Sequence, residues 1–206
     1  MNYNSIKRFV LRLLILIPFL TVSCLIAQEK HNILFIGVDD MRPLLNSYSN
    51  PQMKTPNIDK LASEGVQFNQ AYTNIAVCGA SRASIMTGVR GSQSRFVRYY
   101  SRADEDLPKA TDLAKLFKQN GYKTISLGKI YHETTDFKEN WDIRVPFQNF
   151  RNYLDPKSLK EIKKRKEYHP NNGNLKTPPY EYADVDDYSY NDGRLTKAAI
   201  DNLKKL

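Results

Sequence analysis

Thiols are scarce in this chain. Of 206 residues, two are cysteines, Cys24 and Cys78. Cys24 belongs to an apolar N-terminal stretch with the character of a leader, so a processed protein keeps Cys78 alone. An exported chain with one unpaired thiol has nothing to pair it with, and the thiol asks for another use. Internal repeats and low-complexity tracts are also missing, which argues against repeat architectures. The formal charge is +9, yet no recognisable nucleic-acid motif accompanies it. Part of the excess lies in Lys7, Arg8 and Arg12, and part in the run Lys160 to Lys166. Such a run is a solvated helix face, or a surface suited to polyanions, and nucleic-acid binding is not expected. The longest apolar stretch, Phe9 to Ile26, is interrupted by Arg12 and Pro18, so no stable membrane span is expected in the mature form.

Residues 1–27 read as a secretory signal. Lys7 and Arg8 supply the positive start, and cleavage after Ala27 would leave Gln28 first. The alternative is a lipoprotein signal, because Thr21-Val22-Ser23-Cys24 resembles a lipobox with Thr21 where leucine is usual, anchoring the chain at Cys24. A signal anchor is a third option. The expected location is secreted or periplasmic. The remaining residues, within a composition 41% hydrophobic and 26% charged, suffice for one globular core.

Strand-like and helix-like segments alternate after the leader. Asn32 to Val38 is a continuous apolar run with β-branched members, the pattern of a buried parallel strand. It ends on Asp39-Asp40, and ligands bind at the carboxyl edge of open α/β sheets. Thr55 to Gly65 reads as a helix capped by Thr55, opened by Pro56 and closed by Gly65, with Ile58, Leu61 and Ala62 on one face. Val66 to Phe68 continues as a short strand. Ser81 to Thr87 forms the next helix, stopped by Gly88. Thr111 to Gln119 follows, stopped by Asn120-Gly121. Tyr122 to Leu127 is a second strand ending at Gly128-Lys129. Residues 139–190 turn polar and read as a surface insertion, with a short helix from Ser158 to Lys166. Arg194 to Leu206 is helical by pattern. The alternation predicts an α/β domain with a largely parallel sheet.

Three clusters carry chemistry in this order. Asp39-Asp40 follows the first strand, Cys78-Gly79-Ala80-Ser81-Arg82 opens a helix, and Gly128-Lys129-Ile130-Tyr131-His132 follows a later strand. Cysteine, a small residue two on and arginine two further on form the modification signature of the sulfatases. From about Asn32 to His132 the chain resembles that family. Val38-Asp39-Asp40-Met41-Arg42-Pro43, Thr55-Pro56-Asn57-Ile58-Asp59 and Gly128-Lys129-x-x-His132 look most similar to its iduronate-2-sulfatase-like branch.

The resemblance implies an alkaline-phosphatase-like α/β sandwich, a largely parallel central sheet flanked by helices, incomplete here because family members usually run to more than twice this length. Residues 28–206 are then the N-terminal part of a sulfatase catalytic domain. It implies that Cys78 is oxidised to formylglycine, whose hydrate attacks sulfur through one hydroxyl and expels sulfate with the other. It implies that Asp39 and Asp40, with the modified Cys78, face a divalent cation, Ca²⁺ or alternatively Mg²⁺. Arg82 is expected beside the formylglycine, Lys129 on a sulfate oxygen and His132 on the hydrated nucleophile. Expected partners are a sulfated carbohydrate and a formylglycine-generating or anaerobic sulfatase-maturating enzyme.

The family's later metal and sulfate ligands are not found after His132. His169-Pro170, within the polar stretch, is a poor match, so the isolated chain is expected to be inactive. Two rival readings stay open. One is a phosphate or phosphonate monoester hydrolase of the same superfamily. The other is an inactive, truncated remnant that binds sulfated glycans.

Overall fold

The computed structural model describes residues 30–145, 153–168, 178 and 180–205. The leader with Cys24, the His169-Pro170 pair and Leu206 lie outside them. The chain divides into two units, Met1–Phe35 and Ile36–Leu206. In the first, residues 30–35 are exposed and take no regular secondary structure.

The second unit runs α1 (Pro56–Glu64), α2 (Cys78–Thr87), α3 (Ala103–Asp106), α4 (Leu113–Gln119), β1 (Ile125–Leu127), β2 (Ile143–Val145), α5 (Pro156–Tyr168) and α6 (Asn191–Leu203). Strands β1 and β2 pair in parallel, with Ile125 opposite Ile143 and Leu127 opposite Val145. The parallel α/β expectation therefore holds. The route between the strands differs from the sequence reading, because β2 lies in the stretch read as a polar insertion.

Two expected strands are absent. Residues 32–38 form no strand, and Ile33, Leu34, Phe35, Ile36 and Val38 are all exposed. An apolar run becomes a buried strand only when neighbours satisfy its backbone and cover both faces. Among the described residues no strand pairs with it. Val66 to Phe68 is likewise irregular, with Val66 and Phe68 exposed.

The helices follow their punctuation more closely. Pro56 opens α1 and Gly65 ends it, but Thr55 does not cap it by accepting from a first-turn amide. Its hydroxyl instead donates to Asp59 Oδ1 at 2.9 Å, and Asp59 also accepts from the Ser47 amide at 3.0 Å. Its expected inward face is open, with Ile58 and Leu61 exposed. Helix α2 begins three residues earlier than Ser81, at Cys78. Its buried residues Gly79, Ala80, Ala83, Ser84 and Met86 recur at helical spacing and form the inward stripe. Gly88 stops it at φ +67°, in the left-handed region, with its amide bonded back to Ile85 O.

The core gathers on α2. Ala80, Ala83 and Met86 pack with Phe96, Ala103, Tyr131 and Phe137. Small side chains at the start of α2 let neighbouring backbone close in. A Cβ on Gly79 would lie 2.0 Å from the Tyr99 carbonyl oxygen, so only glycine admits this approach.

Two buried carboxylates join the pieces. Asp112 is fully buried and caps α4, accepting from the Lys115 amide at 2.8 Å. It also accepts from the Tyr131 hydroxyl at 2.7 Å and from Asn140 Nδ2 at 2.9 Å. Burial, and then this bond to Asp112, push the Tyr131 phenol well above its ordinary range. Asp136 caps α3, accepting from the Ala103 and Asp104 amides at 2.8 and 2.9 Å. Burial pushes its carboxyl up to about 6.

At the end of β1, Gly128 takes φ +71° and its amide bonds to Val145 O at 2.8 Å. The chain turns there and carries Lys129 to His132 off the carboxyl edge of the sheet, where the parallel-sheet rule expects ligands. Asp112→Ala removes a helix cap and strands two buried donors. It is expected to destabilise the protein by about 3 kcal/mol, read as a lower urea midpoint at unchanged slope.

Candidate active site

Three residues far apart in sequence meet at the Asp39 carboxylate. Arg82 Nη2 donates to Asp39 Oδ1 at 2.9 Å, and Lys129 Nζ donates to Asp39 Oδ2 at 2.7 Å. Each oxygen thus takes one cation. The Lys129 and Arg82 hydrogen bonds hold the Asp39 carboxyl below its ordinary value. The Arg82 side chain is 13% exposed and that of Asp39 45%, so the cluster lies at a surface with the guanidinium on its inner side. Arg82 Nη1 also donates to the carbonyls of Lys129 and Ile130 at 2.6 and 2.9 Å. One guanidinium therefore grips both the Asp39 turn and the strand exit, using the fork that lysine lacks.

Cys78 occupies the first position of α2, one turn before Arg82, so both lie on one helix face. The thiol is free and partly exposed. Val77 at the N-cap supplies no side-chain acceptor. The first-turn amides and the positive end of the helix thus lie beside Cys78.

His132 is placed through an aromatic contact. Its ring stacks edge-on with Tyr99, centroids 4.3 Å apart and planes at 72°. Such pairs contribute about 0.5–1.5 kcal/mol beyond area burial. The His132 side chain is 11% exposed, and Nε2 lies 3.9 Å from Glu133. Nδ1 is buried without a hydrogen-bond partner among the described residues.

Asp40 sits in the turn after Asp39 at φ +55°, exposed. Aspartate tolerates this left-handed conformation better than most residues. Among the described residues, no three of His, Cys, Asp and Glu gather closely enough to hold a metal ion. Two adjacent carboxylates are the right donor type for Ca²⁺, which takes six to eight oxygens. Both Asp39 oxygens are already engaged by cations. The described residues by themselves therefore do not fit a bound cation, and Cys78 is not gathered with Asp39 and Asp40 into a ligand set.

Of the residues singled out from sequence, Asp39, Arg82 and Lys129 come into direct contact. Cys78 joins them through α2. His132 reaches the Cys78 end of that helix through Tyr99, whose carbonyl lies against Gly79. Tyr99 itself was not legible, because an exposed Tyr-Tyr pair between motifs carries no spacing signal. Gly79 was the nearer clue, since a glycine at a helix start marks a close backbone approach.

Carboxylate turn, thiol-bearing helix and basic strand exit stand in the same order as in a known family. The sulfatase family model matches residues 31–206, and the chain belongs to the sulfatase family, with its alkaline-phosphatase-like α/β fold. Within that family it falls with the iduronate-2-sulfatase-like branch. It is 32% identical to mouse (Mus musculus) iduronate 2-sulfatase over 189 residues, covering 87% of this chain and 33% of the relative. Against the human (Homo sapiens) iduronate 2-sulfatase it is 32% identical over 181 residues, covering 85% and 32%. An N-acetylglucosamine-6-O-sulfatase of Bacteroides thetaiotaomicron is 31% identical over 131 residues, covering 62% and 23%. The chain thus spans about a third of the length of the iduronate 2-sulfatases it matches.

The Asp39 clamp has a pH signature. Its folded-state pKa is depressed, so its contribution is complete above the ordinary carboxylate value and fades as pH falls through the lowered one. A carboxyl-carbon NMR titration is expected to place the Asp39 midpoint below the usual aspartate range. Lys129→Met is expected to move it back upward.

Proposed function

We propose that this chain carries the nucleophile-bearing part of a sulfuric ester hydrolase acting on a sulfated sugar or polysaccharide. The observation that supports this reading best is the clamp itself. Arg82, one helical turn from Cys78, and Lys129 converge on one carboxylate. Two cations at a surface, beside a helix N-terminus, can accept the anionic sulfuryl group of a sulfate ester. The iduronate and N-acetylglucosamine relatives are named for sulfated sugars, which favours a carbohydrate ester here.

In this reading Cys78 is the residue oxidised to formylglycine by a formylglycine-generating or anaerobic maturating enzyme. Its hydrate supplies one hydroxyl to attack sulfur and a second to release sulfate. Lys129 holds a sulfate oxygen as a compact charge, and Arg82 fixes the nucleophile's end of α2 against the strand exit. His132 orients or deprotonates a hydroxyl near neutral pH. Asp39 and Asp40 would serve as hard donors to Ca²⁺, or alternatively Mg²⁺, only if Asp39 gave up a pairing with Lys129 or Arg82 and further ligands completed the set. Such a cation would supply neutralisation of the sulfate oxygens. The protein works outside the cytoplasm in this proposal. Among the described residues no helix is long and apolar enough to cross a membrane.

A first test needs no turnover. Coexpressed with a maturating enzyme proven on another sulfatase, the peptide containing Cys78 is expected to show the mass loss of thiol-to-aldehyde conversion. An intact thiol there sinks the mechanism. Where the modified protein turns over, aryl sulfate is expected to be cleaved in preference to aryl phosphate. Lys129→Ala is then expected to lower kcat by about 100-fold or more. Preference for phosphate would instead favour a phosphomonoester or phosphonate hydrolase. Glycan binding without sulfate release by a full-length, modified protein would favour a binding remnant.

A further inference from the structure

We infer that Tyr99 is a positioning residue that sets the His132 imidazole against the Cys78 end of α2. The inference rests on the reading of Cys78 and His132 as working partners. Two independent contacts meet in this one residue. Its backbone carbonyl lies where a side chain on Gly79 would have to be, 2.0 Å from the Cβ position, so the loop at Tyr99 is pressed onto the first turn of α2. Its ring stands edge-on to His132 at 4.3 Å. The backbone thus registers Tyr99 on the nucleophile's helix, and the ring registers the histidine on Tyr99.

The histidine needs such a guide. Nδ1 is buried with no hydrogen-bond partner among the described residues, and the Glu133 carboxylate stands 3.9 Å from Nε2, beyond hydrogen-bond range. An imidazole held by neither nitrogen is free to turn about its side-chain torsions unless packing stops it. The Tyr99 ring supplies that stop. Tyr99 is itself 60% exposed, so it covers the histidine from the solvent side rather than filling the core. Its hydroxyl has no part in this role, and a phenyl ring should serve as well.

The reporter is the Cys78 thiol in the unmodified 206-residue chain, with Cys24→Ser removing the other thiol. The measurement is the rate of alkylation by iodoacetamide at one fixed pH, with histidine ring resonances followed by NMR. His132→Asn assigns its signals among the three histidines. His132→Asn is expected to change the alkylation rate severalfold. Tyr99→Leu is expected to change it in the same direction and to shift the His132 ring signals, whereas Tyr99→Phe keeps both near the parent values. With His132→Asn already present, Tyr99→Leu is expected to add nothing. Equal effects of Tyr99→Leu with and without His132 would overturn the proposal, since Tyr99 would then act as a simple cover on the thiol. Unmoved His132 signals in Tyr99→Leu would overturn it too. An alkylation rate indifferent to His132→Asn would instead break the pairing of Cys78 with His132 and take the proposal with it, a result distinct from either of the others. The wild-type amide spectrum in Tyr99→Phe checks that the fold is kept.

Discussion

A single carboxylate, Asp39, sets the condition on which the candidate site depends. Arg82 and Lys129 arrive from a helix and from a strand exit, 43 and 90 residues further along the chain. Two cations in that space repel unless an anion stands between them. Exposed ion pairs contribute little stability singly, and Asp39 is half-exposed. Its importance is geometric: one oxygen for each cation fixes where both charges lie. The inner cation, Arg82, has a second hold on the carbonyls of Lys129 and Ile130. Removing the anion would loosen the outer contact while leaving the guanidinium seated.

Behind this surface cluster, buried polar groups do the joining that a larger apolar core would do elsewhere. Asp112 ties the start of α4 to Tyr131 and Asn140, and Asp136 ties the start of α3 to the segment after His132. Tyr131 lies between two proposed functional neighbours, Lys129 and His132. Its ring faces the core and its hydroxyl is held by Asp112, so the segment carrying both is anchored from within. Small residues on α2 make this compactness possible. Ala80 and Ala83 are fully buried, and Gly79 admits the loop that bears Tyr99.

Much of this was legible beforehand, for identifiable reasons. Helix ends were readable where the backbone demanded a particular residue: Pro56 at a first turn, Gly88 in the left-handed region, Asn120-Gly121 after α4. The order of carboxylates, thiol motif and basic strand exit was readable because each uses rare residue types at short spacing. The strand expected at Asn32 to Val38 failed because composition reports only that a segment would prefer burial. Whether it is buried depends on neighbours that no local pattern contains. Strand β2 was missed for the converse reason. Three residues in a polar stretch have no periodicity of their own, and pairing with β1 is what makes them a strand.

Local chemistry along the chain determined the class of the domain, the family, and which side chains could take part, because turns, helix starts and reactive groups are written in adjacent residues. Tertiary structure alone decided that Asp39 receives two cations, that Gly79 must be a glycine, and that Tyr99 stands between the thiol helix and His132. Those facts come from distances between segments tens of residues apart. Such distances are set by packing and by the satisfaction of buried polar groups, which no single stretch of sequence contains.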